Sequence, residues 1–510
     1  MSENRKTTTL KKIDFAVAII LSAMFIGFLI LSSTRAPLNF DASYNMLPYQ
    51  SLSKGTGFQY IYDSKSVPFN PAVTTGPELY LPTLMIWKLI GHTDYFVATY
   101  VLIAYYAMFF AFLLFYVLKE KPYKTLSLLF FLILIFSNKQ LFDNRSLIDP
   151  LGEIVSSFMV FAGAYLLYKK KTIPSFILFG LALDTKANII IALLPALAIY
   201  IFLEYLWPII KEKEYQTAAK TSLRWIFLSL IIFTPSLFTT RVLPELTLNT
   251  KEKIIFHEAQ QDWNNHRNDR GLGQLTTFLK HPNRHTLKTF WNQTAAKIPT
   301  LKSYFNGSLF LIILFYTSLL FLISYTFRKK HFSFLLFVFS FFFSLWWLFV
   351  TTDAWWRYFL LVEWMYILGI VAIAPMLFRK QNLRNPSSLF IFLSFLIVFL
   401  PQFSTASINR SLDPSEKNYF TQMQKLIEPI DQNNLFTYGW FQCPQLMLQT
   451  GKRFQDYTDQ GSVKEASQEG EPIYLLTAIE NTIVQPEMDE VLKSFDLVKA
   501  FGYNGLYKLR

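Results

Sequence analysis

The chain has 510 residues, of which 52% are hydrophobic and 18% aromatic, and it carries a formal net charge of +13. This apolar composition excludes an ordinary soluble protein. The positive charge does not indicate nucleic-acid binding, because the lysines and arginines cluster in short connectors between apolar runs, as the positive-inside rule describes for cytoplasmic loops. A single cysteine, Cys443, excludes a framework of intramolecular disulfides.

Long apolar runs recur along the chain and predict a polytopic α-helical membrane protein. Runs such as Phe15–Leu31 and Leu309–Tyr325 approach the roughly 20 residues that a helix needs to cross a bilayer. We interpret the first run as a retained helix, because it is longer than the apolar region of a signal peptide and no small-residue cleavage site follows. About eleven spans are predicted, at residues 13–33, 94–118, 125–138, 150–168, 173–186, 188–208, 221–239, 303–326, 332–351, 357–378 and 386–403. This count places the N-terminus in the cytoplasm and the C-terminus outside.

Three segments then lie on the outer side. The loop of residues 34–93 contains the apolar segment Pro77–Gly91, which is too short to span and predicts an interfacial helix. The loop of residues 239–302 is polar. The tail from residue 404 to 510 contains "LFTYG", "PIYLLTA" and "GLYKL", typical of strands, and the helical pattern "NYFTQMQKLIEPI". It predicts a small α/β domain that follows a transmembrane domain of residues 1–403.

Charged and aromatic residues gather at the outer ends of several spans. A polar residue at a span end costs little, but carboxylates and arginines at the outer surface of several different spans form a pattern that requires an explanation. They are Asp41 after the first span, Asp143, Arg145, Asp149 and Glu153 between the third and fourth, Asp184 and Lys186 between the fifth and sixth, Arg241 after the seventh, and Asp353, Trp355, Trp356 and Arg357 between the ninth and tenth. The predicted topology brings all of them to one face.

A cavity built from carboxylates, cations and aromatic walls beside lipid suits transfer of a sugar from a polyprenyl phosphate. A carboxylate deprotonates the acceptor hydroxyl, and cations hold the phosphate leaving group as its charge develops. Direct attack by the acceptor inverts the anomeric centre. Asp41 is the candidate base.

The order of "DASYNMLPYQSLSKG", "FNPAVTTGPELYLPTLMIWKLIG", "RSLIDPLGE" and "GLALDTKANIIIALLP" resembles the bacterial GT-C glycosyltransferases, relatives of the protein O-mannosyltransferases and lipid A aminoarabinose transferases. The resemblance covers about the first 210 residues and continues loosely through "WWRYF". It implies a multispan fold in the bacterial inner membrane, an extracytoplasmic active site and a polyprenyl-phosphate sugar donor. The acceptor would be a hydroxyl, amine or phosphate group on a glycolipid, wall glycan or protein.

The same resemblance implies site residues. Asp41 matches the family's catalytic aspartate in the first loop, but Ala42 stands where family members often have a glutamate, so we assign the second acid to Asp149. Lys186 matches the family's "TK", and Arg357 a phosphate-binding arginine. We place these two in a donor-phosphate-binding set that is completed by Arg145, Arg241, Tyr44 and Trp356.

Simpler roles remain open for several of these residues. Asp149 precedes a proline, as the N-cap of a helix often does, Lys186 could extend along lipid to the interface, and Arg357 and its neighbouring tryptophans could form an interfacial belt. No cofactor is expected. A divalent metal is the weaker alternative, because the spacing of His257, Glu258, Asp262 and His266 fits no standard zinc motif.

Two other classes of protein compete with the transferase. A transporter or flippase of lipid-linked substrates would also have many spans, although such proteins tend to show internal repeats and mid-membrane polar groups. An inactive GT-C scaffold is the other alternative, and Ala42 is its only indication.

Overall fold

The structure is a computed structural model. It describes residues 2–37, 39–55, 59–62, 65–68, 76–119, 121, 123–143, 145–271, 278–351, 356–377, 390–391, 393–394, 397–398, 403–437, 443–457, 460–468, 472–478, 491–501 and 504–510.

Helices dominate the chain. They are α1 Ser2–Arg35, α2 Phe40–Ser53, α3 Pro77–Ile90, α4 Phe96–Phe112, α5 Lys124–Phe136, α6 Lys139–Asp143, α7 Glu153–Tyr168, α8 Thr172–Thr185, α9 Ile190–Ile201, α10 Trp207–Lys211, α11 Tyr215–Leu237, α12 Leu243–Thr247, α13 Thr250–Gly271, α14 Arg284–Tyr304, α15 Leu309–Arg328, α16 Ser333–Phe349, α17 Trp356–Leu377, α18 Thr405–Ser411, α19 Ser415–Ile427, α20 Cys443–Thr450 and α21 Gln460–Gln468. The strands are β1 Gln59–Tyr62, β2 Lys65–Pro68, β3 Leu435–Thr437, β4 Gln455–Asp456, β5 Tyr474–Ala478, β6 Phe495–Phe501 and β7 Asn504–Leu509. Three π-helical segments, Leu113–Val117, Phe202–Leu206 and Phe238–Val242, continue α4, α9 and α11.

Ten of the predicted spans coincide with apolar helices. Among the described residues, six helices are long and apolar enough to cross a membrane: Thr9–Arg35, Phe96–Val117, Ala187–Lys211, Tyr215–Leu246, Leu309–Arg328 and Tyr358–Leu377. Four shorter apolar helices, α5, α7, α8 and α16, occupy the other predicted positions. Most of the eleventh, residues 386–403, lies outside the described residues, so the number of spans stays a prediction.

One span begins later than predicted. The prediction starts at residue 303, but α15 begins at Leu309, because Asn306 and Gly307 have φ angles of 48° and 77° and end the preceding helix. The side chain of Ser308 then caps α15 by accepting a hydrogen bond from the N–H of Leu311.

The basic connectors meet at one end of the helix bundle. The carboxylate of Asp14 accepts hydrogen bonds from the N–H groups of Lys124 and Thr125, which joins the start of α1 to the start of α5. At the same end, the hydroxyl of Tyr165 donates to the carbonyl of Tyr116, and the ring of Tyr168 lies 6.1 Å from that of His331. The connectors that carry Lys121, Lys169 and Arg328 are therefore neighbours, as the predicted topology requires.

The first long loop holds two helices. The predicted helix at Pro77–Gly91 is confirmed as α3, which ends at Gly91 in the left-handed conformation (φ 79°) typical of helix C-termini. The helix α2 was not predicted, because Pro48 interrupts its pattern and proline is disfavoured inside helices. It begins at a side-chain cap, Asn39, which accepts a hydrogen bond from the N–H of Asp41 at 2.9 Å.

The C-terminal segment contains the expected strands and helix. Its five-stranded sheet has the order β4-β3-β5-β7-β6, with β3 parallel to β4 and β5, and β7 antiparallel to β5 and β6. One face of this sheet packs a small core of its own around Phe436, Leu475 and Phe495. Other residues, including Met423, Leu435 and Leu446, join the large core of the helix bundle, so the segment packs onto the bundle.

Candidate active site

The site lies at the end of the bundle where α7 begins and α8 ends. These helices are joined by the connector of residues 169–171 and run in opposite directions, so the start of α7 and the end of α8 lie at the same end of the bundle. We call this the site end. Since α7 rises about 1.5 Å per residue over its length, the site end lies some 20 Å from the basic connectors.

Asp149 lies just before α7 and is held by the residue that caps α2. Asn39 donates its side-chain N–H to Asp149 Oδ2 at 2.7 Å. Burial raises the pKa of Asp149 to about 8, the hydrogen bond from Asn39 opposes the rise, and the nearby carboxylates of Asp41 and Glu153 add to it. Asp149 can therefore hold or release a proton near neutral pH.

Lys186 follows α8 and forms a buried ion pair with Glu153. Lys186 Nζ lies 2.7 Å from Glu153 Oε1, and the side chain of Glu153 is only 2% exposed. The same ammonium donates to the carbonyl of Leu151 at 3.1 Å. An ammonium has three donors, and no described residue engages the third. Lys186 can thus reach an added anion without leaving Glu153.

A second pair of carboxyl groups joins α3 to α8. Glu78, in the first turn of α3, hydrogen-bonds the carboxyl group of Asp184 and accepts a hydrogen bond from Thr185 Oγ1 at 3.3 Å. Thr239 Oγ1, on the segment Phe238–Val242, donates to Asp184 Oδ1 at 2.7 Å. Burial raises the pKa of Glu78, and the adjacent Asp184 raises it further. The raised pKa of Glu78 favours its protonated form, which can donate a hydrogen bond to Asp184.

The close approach of α3 to α8 depends on a glycine. The N–H of Gly76 donates to the carbonyl of Thr185 at 3.2 Å. A Cβ atom at Gly76 would lie 2.0 Å from the carbonyl oxygen of Asp184, so no other residue fits without displacing the chain. The glycine of "TTGPELY" therefore sets the position of Glu78.

Two buried tyrosines, Tyr49 and Tyr80, lie between Asp149 and the pair of Glu78 and Asp184. The hydroxyl of Tyr80 donates to the carbonyl of Pro150, and Asn45 hydrogen-bonds the same hydroxyl. The ring centroids of Tyr49 and Tyr80 are 5.2 Å apart, and both side chains are fully buried. The two tyrosines therefore hold α2 and α3 against the start of α7.

The remaining site residues occupy different surroundings. Arg145 has a left-handed backbone (φ 52°) and its guanidinium donates to the carbonyls of Arg410 and Asp413, at 3.4 and 3.3 Å. Arg241 is exposed two residues beyond Thr239, and Tyr44 is half-buried one turn after Asp41. Trp356 and Arg357 begin α17, and their side chains lie outside the described part of the chain, as do Asp353 and Trp355.

Three polar residues of the site were not predicted. Asn39, two residues before Asp41, has the sequence signal of an N-cap, but it falls in the predicted loop of residues 34–93, where no helix was expected before Pro77. Glu78 falls inside the predicted interfacial helix. An acid there has a simpler explanation, because carboxylates in the first turn interact favourably with the helix dipole. Thr239 has no signal of its own, because its role depends on the packing of α11 beside α8.

Metal ligands are not grouped in the part of the chain that the structure describes: no three histidine, cysteine, aspartate or glutamate side chains lie together there. His257 Nε2 is 3.8 Å from Glu245 Oε1 on the exposed side of α13. The side chains of Asp262 and His266 lie outside the described residues.

Comparisons with known proteins show the fold. No protein-family model matches the chain, and no curated protein matches it. The structure is similar to that of ArnT from Cupriavidus metallidurans in the apo state, with a TM-score of 0.57, 10% identity and coverage of 99% of this chain and 98% of ArnT. For ArnT bound to undecaprenyl phosphate, the TM-score is 0.54, the identity 10%, and 97% of each chain is covered. The chain therefore has the fold of ArnT over nearly its whole length, as the resemblance in the sequence motifs led us to expect.

Proposed function

We propose that the chain is an inverting glycosyltransferase that moves a sugar from a polyprenyl-phosphate donor to an acceptor outside the cytoplasm. The observation that carries the proposal is the meeting of Asp149, Glu153 and Lys186 with the Asp41 end of α2, at the end of the bundle opposite the basic connectors. That ArnT, with the same fold, was crystallised with undecaprenyl phosphate supports a lipid of this class as partner.

In the proposed reaction, Asp41 takes the proton of the acceptor hydroxyl as its oxygen attacks the anomeric carbon. The bond from that carbon to the phosphate oxygen breaks, and its electron pair leaves with the polyprenyl phosphate. One displacement of this kind inverts the anomeric centre. No covalent enzyme intermediate is needed, and the proton that the acceptor hydroxyl loses ends on Asp41.

The donor phosphate would be held by cations. Lys186 would give its third N–H to the phosphate while Glu153 keeps the ammonium in place. Arg357, Arg145, Arg241, Tyr44 and Trp356 complete the proposed donor-binding set. Asp149, whose pKa is raised by burial to about 8, would act as the second acid and hydrogen-bond donor rather than as the base.

The proposed setting is the bacterial inner membrane, with the N-terminus in the cytoplasm and the site end outside. The grouping of the basic connectors at the opposite end supports this orientation. The proposed acceptors are glycolipids, wall glycans or proteins, and the segment of residues 404–510 is proposed as an extracytoplasmic domain.

The test uses purified wild-type protein and Asp41→Asn in nanodiscs with envelope extract and a panel of polyprenyl-phosphate sugars, and mass spectrometry follows each donor. We expect wild type to consume one donor and Asp41→Asn to spare it. Asp496→Asn, on the exposed surface of β6, is the control and should retain consumption. Binding without consumption in any extract would favour a scaffold, and translocation in liposomes by Asp41→Asn at the wild-type rate would favour a transporter.

A further inference from the structure

Asn39 contacts both candidate acids at once. Its side-chain oxygen accepts from the N–H of Asp41 at 2.9 Å, and its side-chain nitrogen donates to Asp149 at 2.7 Å. These two acids lie more than 100 residues apart in the chain and belong to different elements. We propose that Asn39 is a positioning residue, which fixes the start of the Asp41 helix against Asp149 and stabilises the ionised form of that carboxyl group. This inference rests on the proposed function for its effect on catalysis.

An amide is the side chain that suits this position. It has an acceptor oxygen and donor N–H groups, so it can cap a helix and bind a carboxylate simultaneously. Serine caps a helix nearly as well as asparagine, but its Oγ stands where asparagine has Cγ, one bond short of the Nδ2 that reaches Asp149. Aspartate would cap the helix and place a further carboxylate beside Asp149.

The bridge also acts on the charge of Asp149. Hydrogen bonds donated to a carboxylate favour its ionised form, and the side chain of Asn39 donates one to Asp149 at 2.7 Å. Among the described residues, the titratable groups that face Asp149 are Asp41 from α2, Glu153 from α7 with its partner Lys186 after α8, and Tyr80 from α3. The carboxylates among them oppose ionisation of Asp149, and the hydrogen bond from Asn39 counteracts that effect.

The test separates the bridge from the cap. Asn39→Ser keeps a capping side chain and loses the donor to Asp149, whereas Asn39→Ala loses both. Asn283→Ser is the control for the cap, because Asn283 also caps a helix, α14, on the exposed surface, where its side-chain oxygen accepts from the N–H of Thr286. Two quantities are measured in each: the pH dependence of donor consumption, and the infrared titration of the Asp149 carboxyl group, assigned by its disappearance in Asp149→Asn.

We expect Asn39→Ser to raise the infrared midpoint of Asp149 by about one pH unit, the size of one lost hydrogen bond to a charged group. The limb of the pH profile of donor consumption that Asp149 controls should shift by the same amount as the infrared midpoint. The thermal midpoint of Asn39→Ser should fall no more than that of Asn283→Ser. An unchanged midpoint in both Asn39→Ser and Asn39→Ala would overturn the inference. If wild type consumes no donor, the proposed function fails, while the infrared midpoint still decides the role of Asn39.

Discussion

Lys186 Nζ lies 2.7 Å from Glu153 Oε1, and both side chains are largely removed from solvent, with 19% and 2% of their surfaces exposed. A buried ion pair of this kind contributes little net stability, but removing one partner leaves the other charge uncompensated. We therefore infer that Glu153 serves to hold the Lys186 ammonium in place beside the proposed donor phosphate.

The first prediction separates the structural and binding roles of Lys186. Lys186→Met should lower the thermal midpoint strongly, by the equivalent of about 3–5 kcal/mol, because Glu153 is left as a buried carboxylate. The double variant Lys186→Met/Glu153→Gln should recover most of that loss but not the affinity for polyprenyl phosphate. Differential scanning fluorimetry and donor binding measure the two effects. Full donor affinity in the stable double variant would show that Lys186 does not bind the donor phosphate.

The second prediction concerns pH and stability. Because burial raises the pKa of Asp149 to about 8, the folded protein binds a proton that the unfolded chain has lost above the ordinary aspartate pKa of about 4. The stability that this proton contributes is fully present below about pH 4 and is lost as the pH rises through about 8. Asp149→Asn should therefore lessen the fall of the thermal midpoint with rising pH over that window.

Asp496→Asn is the control for this titration, because Asp496 is exposed on β6 and pairs with Arg510. Its thermal midpoint should follow the wild-type pH curve. Equal curves for wild type and Asp149→Asn would show that Asp149 titrates normally in the folded protein.

The third prediction tests the contact between α3 and α8. Gly76→Ala should destabilise the protein by about 1–3 kcal/mol, as overpacked substitutions do, because its Cβ would lie 2.0 Å from the carbonyl oxygen of Asp184. Gly27→Ala, in α1, is the control, since a Cβ there meets nothing within 4 Å. Similar thermal midpoints for the two variants would mean that α3 does not approach α8 so closely.

The fourth prediction separates two roles for Arg145. Arg145 and Lys54 both donate to carbonyls of the C-terminal segment, Lys54 to that of Gly451 at 3.0 Å. Arg145→Ala and Lys54→Ala should both speed proteolysis of residues 404–510. Only Arg145→Ala should also raise the KM for the donor, by roughly tenfold or more, the loss expected for a hydrogen bond to a charged group. An unchanged KM would assign Arg145 to docking alone.

The membrane helices were predictable because lipid imposes a strong requirement on each span. A helix in a bilayer must satisfy its backbone internally and present apolar side chains, so runs such as Leu309–Tyr325 are visible without a structure. The strands at Leu435 and Tyr474 were visible for a related reason, the apolar pattern of buried strands. Asp149, Glu153, Asp184 and Lys186 could be placed at one end because their spans alternate in direction.

The pairings inside the site were not predictable. That Asn39 meets Asp149, or Glu78 meets Asp184, depends on packing between elements distant in the chain, and no local pattern encodes it. The helix that carries Asp41 was missed because Pro48 breaks its pattern, and its start is defined by the cap at Asn39. Asn39 and Glu78 therefore came from the structure, whereas Asp41, Asp149 and Asp184 were identified from the sequence.

The most direct test of the central claim follows the phosphorus atom. Wild-type protein in nanodiscs is incubated with the donor and acceptor extract, and ³¹P NMR distinguishes the sugar phosphodiester of the donor from the phosphomonoester of free polyprenyl phosphate. The account predicts that wild type converts the diester signal to the monoester signal and that Asp41→Asn, folded to the same thermal midpoint, does not. Conversion by Asp41→Asn at the wild-type rate would contradict the assignment of Asp41 as base, and a diester left intact by wild type under every donor and acceptor would contradict sugar transfer.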